Sequence, residues 1–111
     1  MEKPYIVDML RGIGQSLSTI DVPVQVRRLD DFALAPTAIK IDAEGAEWSV
    51  LRGAEQTLRI HRPVLLVENG NWGQVTEYLA SLGYKCFRYT PASDTLEPFY
   101  GQTTNAIYLP E

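Results

Sequence analysis

From Ile39 onward, apolar and polar positions form short runs whose period switches between that of a strand and that of a helix. "AIKID" is a brief β-prone run closed by Gly45. Glu47 to Arg59 sets Leu51, Ala54 and Leu58 on one face with Val50 beside them, the pattern of an amphipathic helix. Its interior Gly53 costs about 1 kcal/mol against alanine and points to close packing on a sheet. "RPVLLVEN" is a continuous apolar run, as expected of a parallel strand buried on both faces. Val75, Tyr78, Leu79 and Leu82 mark a second helix, with Gly83 placed to end it in the left-handed conformation. "YKCFRY" and "NAIYLP" are the last two strand candidates, joined by the loop "TPASDTLEPFYGQTT". The order strand, helix, strand, helix, strand, strand predicts an α/β fold. Its sheet is expected to be mostly parallel with right-handed crossovers, the final strand antiparallel, and the helices packed on the sheet.

Upstream of Ile39 the pattern is weaker. Ile6, Met9, Leu10, Ile13 and Leu17 fall at helical spacing, yet Tyr5 to Leu10 also reads as a short strand running into Gly12 and Gly14. "RGIGQS" imitates the start of a phosphate-cradling loop, but no third glycine follows at the right distance, so a helix or linker is the better account. "VPVQVRRL" alternates Val22, Val24 and Val26 and predicts an edge or irregular strand, Pro23 being unable to donate a ladder bond. "DDFALAPT" predicts a short helical turn stopped by Pro36.

Composition narrows the function classes. The chain has 111 residues, enough for one small domain and short for a nucleotide-cofactor enzyme. A formal charge of -4 argues against non-specific binding to nucleic acid or anionic membranes. No apolar stretch approaches the roughly 20 residues that span a bilayer, and "MEKPYIVDMLRG" lacks the features of a secretory signal. Cys86 is the only cysteine and His61 the only histidine, which excludes an intramolecular disulfide and a Cys/His zinc cluster and makes a cytoplasmic setting the expectation.

The chemistry concentrates in "IKIDAEGAEW", where Asp42, Glu44 and Glu47 crowd beside Gly45 at a strand end. In open α/β sheets ligands bind outside the carboxyl ends of the strands, and Asp42 and Glu68 both occupy that position on consecutive strands. Each acid also has a structural use: Glu47 and Glu44 can face helix-start amides and Asp42 can cap. Clustered acids serve a hard cation, a cationic group on a ligand, or proton transfer. A divalent metal needs more oxygen ligands than can be placed here, whereas a cationic cofactor needs fewer. Lys40 is a partner for a nearby acid or reaches to solvent. His61 follows a helix end, where it can face terminal carbonyls. Trp48 and Trp72 flank the two strand-end loops, where core packing and pocket lining both remain open.

The stretch "RLDDFALAPTAIKIDAEGAEWSVLRGAEQTLRIHRPVLLVEN", Arg28 to Asn69, resembles the FkbM-type S-adenosylmethionine-dependent methyltransferases. The "K-I-D-x-E-G-A-E" core, the following "V-L-R-G-A" and the "R-P-x-L-L-V-E" strand stand in the family's order. The resemblance implies a Rossmann-like sheet with S-adenosylmethionine across the strand ends and O-methylation of a sugar or natural-product hydroxyl. It implies that Asp42 orients the substrate or acts as general base, supported by Glu44 and Glu68. Asp42 and Gly45 would lie on the cofactor side, and Asn69 and Trp72 on the substrate side.

The family's glycine-rich start has no counterpart before Arg28. Residues 28–111 are therefore expected to be the carboxyl-terminal half of a truncated domain, and residues 1–27 a helix or linker. The alternative to a methyltransferase is a non-catalytic half-domain serving as an interaction or oligomerisation module, pairing copies through the exposed edge of the "AIKID" strand. A metal-dependent hydrolase is the third and weakest reading. The expected partners are a small-molecule or glycan hydroxyl substrate, with neither nucleic acid nor membrane.

Overall fold

The structure is a computed structural model that describes residues 18–68 and 70–111. The Gly12/Gly14 stretch, the helical spacing from Ile6 to Leu17, and Asn69 lie outside the described residues.

A 3-10 turn (Leu29–Phe32) precedes β1 (Ala38–Ile41), α1 (Glu47–Arg52), α2 (Glu55–His61), β2 (Val64–Glu68), α3 (Trp72–Ser81), β3 (Tyr84–Thr90), β4 (Thr95–Pro98) and β5 (Asn105–Pro110). The sheet order is β1-β2-β5-β3-β4. The expectation of a mostly parallel sheet is corrected: β1 and β2 pair in parallel, while β2–β5, β3–β5 and β3–β4 are antiparallel. The reason is topological. β1, β2 and β3 run in the same direction, but β5 returns between β2 and β3 and reverses both of their ladders. β4, inside the stretch expected to be loop, folds back on β3 as a hairpin.

All three helices pack on one face of the sheet. Leu51, Leu58, Val75 and Leu79 from the helices meet Leu65, Val67, Ala106 and Tyr108 from the strands, all fully buried. The opposite face carries Val64, Leu66, Phe87 and Ile107, which are only half-buried or exposed. "RPVLLVEN" therefore buries Leu65 and Val67 on one side and is not enclosed on both faces as its composition suggested.

The expected helix from Glu47 to Arg59 is broken into α1 and α2 at Gly53 and Ala54. The incoming chain lies across this break. A Cβ on Gly53 would stand 3.3 Å from that of Arg28, and the Asp30 amide donates to the Gly53 carbonyl at 3.0 Å. Local helix bonding thus yields to a close approach of the incoming chain, where a side chain at position 53 would make Arg28 give by a few tenths of an ångström. The Val22–Val26 stretch is not a strand: residues 18–28 carry no regular structure and belong to none of the ladders. Pro23 withholds one donor, and no neighbouring strand is present among the described residues to supply a ladder.

At the far end of the sheet Arg62 takes a left-handed conformation and donates to the carbonyls of Leu82 and Gly83 while stacking on Tyr84. Gly83 has φ +83°, as expected of a residue ending α3. Among the described residues no helix is long and apolar enough to cross a membrane.

Candidate functional site

Parallel pairing of β1 with β2 puts Ile41 beside Val67, so the next residues, Asp42 and Glu68, emerge side by side at the carboxyl ends of the two strands. Ile41 and Val67 point into the helix-covered core. By strand alternation the two acids leave on the opposite, open face, together with Lys40. Asp42 and Glu68 are both exposed, and their carboxyl groups lie within hydrogen-bond reach. Glu68 is held above the usual carboxylate range, first by that hydrogen bond and then by the charge of Asp42. Slight desolvation and Glu44 push the same way, and Lys40 opposes them. Two carboxylates this close cannot both ionise without cost, so Glu68 retains its proton more tightly than a lone glutamate would.

The turn between β1 and α1 explains the rest of "DAEGAE". Glu44 and Gly45 both have positive φ, 51° and 96°, and the Ala46 amide donates to the Ala43 carbonyl at 3.1 Å, as in a type I′ turn. Glu47, only 1% exposed, folds back into this turn. Its carboxylate accepts from the Ala43 amide at 2.9 Å and from the Gly45 amide at 3.0 Å. Glu47 is therefore a structural acid. Gly45 is required by conformation rather than crowding, since nothing lies within 4 Å of a Cβ built on it. The space beside Gly45 is open, but its amide is used by Glu47 and its carbonyl accepts from Asn71 Nδ2 at 3.0 Å. This last bond ties the β1–α1 turn to the β2–α3 loop, fixing the two strand ends relative to each other. Asp42 does not cap α1, whose N-cap Ala46 has no side-chain bond.

Beside the pair lies an open cleft of about 700 Å³ lined by Glu68, Gly70, Gln102, Thr103 and Thr104. The three residues from the β4–β5 loop were missed from the sequence, where "GQTT" carries no signal beyond its polarity; only the insertion of β5 next to β2 brings them there. Trp72 opens α3 with its indole N–H buried and without a well-formed hydrogen bond. That N–H lies near the Cys86 thiol, whose pKa burial pushes up against opposing contacts from Tyr108 and Trp72. Trp72 is thus placed inward and not along the cleft. Trp48 packs on the core under the Arg52 guanidinium. His61 ends α2, at the opposite end of β2 from Glu68.

A second acid missed from the sequence is Asp30. Its carboxylate reaches from the 3-10 turn to the start of α2, accepting from the Gln56 amide at 3.1 Å, the Thr57 amide at 2.9 Å and the Thr57 hydroxyl at 2.8 Å. It caps a helix whose own N-cap position, Ala54, has no side chain able to do so. Among the described residues no group of three or more histidine, cysteine or acidic side chains is arranged to hold a metal ion.

Comparison with known proteins adds the family. No match is found among curated proteins. Among solved structures, the chain is similar to the methyltransferase FkbM from Methylobacillus flagellatus KT. The two share 29% identity over 75% of this chain, with a TM-score of 0.54. The match covers 22% of that protein, so this chain spans about a fifth of its length. The methyltransferase FkbM domain model matches residues 8–86, well over half of the sequence, and the chain belongs to that family.

Proposed function

We propose that this chain forms the acceptor side of an S-adenosylmethionine-dependent O-methyltransferase site acting on a hydroxyl of a sugar or natural-product scaffold. The observation that carries this reading is the placing of Asp42 and Glu68 side by side at the ends of two parallel strands, beside an open polar cleft. S-adenosylmethionine supplies a methyl group on a positively charged sulfonium. Asp42, Glu44 and Glu68 suit that cationic end, because a nearby positive charge relieves the repulsion that holds the Glu68 proton. Asp42 orients the acceptor hydroxyl and takes its proton, with Glu68 beside it in support. Gln102, Thr103 and Thr104 offer uncharged hydrogen-bonding groups across the cleft, a lining suited to a hydroxyl-rich acceptor.

Titration calorimetry of the chain with S-adenosylmethionine and with its neutral thioether product tests this. The sulfonium compound is expected to bind more tightly, and Asp42→Asn with Glu68→Gln to erase that preference. Absence of binding by either compound, or a preference that survives both substitutions, contradicts the reading for this chain.

A further inference from the structure

The Ile20–Arg27 stretch is an anomaly in a folded chain. Ile20, Val22, Val24 and Val26 are 87%, 65%, 76% and 92% exposed, spaced two apart as on one face of a strand, yet no ladder among the described residues includes them. We propose that this stretch pairs antiparallel with the same stretch of a second copy of the chain, forming a two-fold symmetric dimer.

The sequence of the stretch is complementary to itself in one register. With Val24 opposite Val24 of the second copy, Val22 faces Val26 and Asp21 faces Arg27. The apolar residues then share one side of the ribbon, and two opposite-charge pairs fall on the other. Pro23 selects the hydrogen-bonding phase. Antiparallel pairs alternate between hydrogen-bonded and non-hydrogen-bonded positions. Placing Val24 at a hydrogen-bonded pair puts Pro23 at a non-hydrogen-bonded one, where its missing N–H points away from the partner strand. The same phase puts Asp21 and Arg27 at a non-hydrogen-bonded pair, the closer of the two spacings.

A two-stranded ribbon alone is marginal in water, so the dimer needs an apolar seat. Val26 lines a largely apolar cleft of about 360 Å³ together with Leu29, Ala46 and Val50, bordered by Arg27, Arg28 and Ser49. Val22 of the second copy, opposite Val26 and on the same side, enters this cleft, and symmetry repeats the contact. Arg27 lies over the Phe32 ring at 4.5 Å with its charge felt by Asp31, and in the ribbon it turns to face Asp21 of the second copy.

Sedimentation equilibrium of the full chain over a series reaching millimolar concentration tests the proposal. The wild-type chain is expected to dimerise. Asp21→Arg and Arg27→Asp each place like charges opposite one another and are expected to weaken the dimer about tenfold. The double swap within one chain restores it, and mixing the two single variants yields a heterodimer. A chain that stays monomeric throughout overturns the proposal and leaves the stretch to be covered by another segment or protein. A dimer indifferent to both single substitutions uses another surface, such as the β1 edge, and overturns it equally.

Discussion

Two sets of acids in this small domain have opposite fates. Glu47 and Asp30 are fully engaged: each carboxylate accepts backbone amides that would otherwise lack partners, one inside the β1–α1 turn and the other at the start of α2. Asp42 and Glu68 are engaged chiefly with each other, carboxyl against carboxyl, in the open at the strand ends. The first arrangement stabilises the fold. The second works against it, since repulsion of this kind is relieved only when a cation or proton arrives. The turn held by Glu47 follows directly on Asp42, so the structural acid fixes the backbone from which Asp42 projects.

The largest effect that sharpens this contrast is expected at Glu47. Glu47→Ala removes a buried acceptor from two amides and should cost about 3 kcal/mol, read from urea denaturation. Asp30→Ala removes a cap and should cost about 1–2 kcal/mol in the same measurement. Glu68→Gln should cost nothing or raise the melting temperature slightly, because it removes a repelling charge. A melting temperature that drops as far in Glu68→Gln as in Asp30→Ala would erase the distinction between the two sets.

The pH dependence of stability separates them as well. The Asp30 carboxyl feels burial, which raises its pKa, but the bonds from Thr57 and Gln56 and the charge of Arg28 outweigh it and hold the group below its ordinary value. Its contribution is present above the ordinary aspartate pKa and is lost as pH falls through the depressed value. Glu68 has the opposite sign. The folded chain holds its proton more tightly than the unfolded chain, so stability declines as pH rises from the ordinary glutamate value through the raised one. Glu68→Gln should therefore flatten the decline on the upper side of the carboxylate range, and Asp30→Ala the loss on the acid side.

Much of this was legible along the chain. The alternation of strand and helix from Ile39, the left-handed Gly83 and the neighbouring strand ends of Asp42 and Glu68 all follow from local spacing, which the fold preserves. What could not be read depends on contacts distant in sequence. The helix break at Gly53 exists because Arg28 and Asp30 pack across it, and Asp30 caps α2 from 27 positions away. The sheet's antiparallel character comes from β5 inserting beside β2, which also delivers Gln102, Thr103 and Thr104 to the cleft. β4 is four residues containing a proline, too short and too polar to stand out. Val22 to Val26 shows the converse: strand-like spacing is no strand until a partner supplies the ladder.

The central claim is that Asp42 holds the neighbouring Glu68 carboxyl above the ordinary glutamate range. Following the Glu68 side-chain carboxyl carbon by NMR through an acid titration tests it directly, in the wild-type chain and in Asp42→Asn. The account predicts a midpoint above the ordinary glutamate value that falls back toward it in Asp42→Asn. An ordinary midpoint in the wild-type chain, or a raised one that Asp42→Asn leaves unchanged, would contradict it.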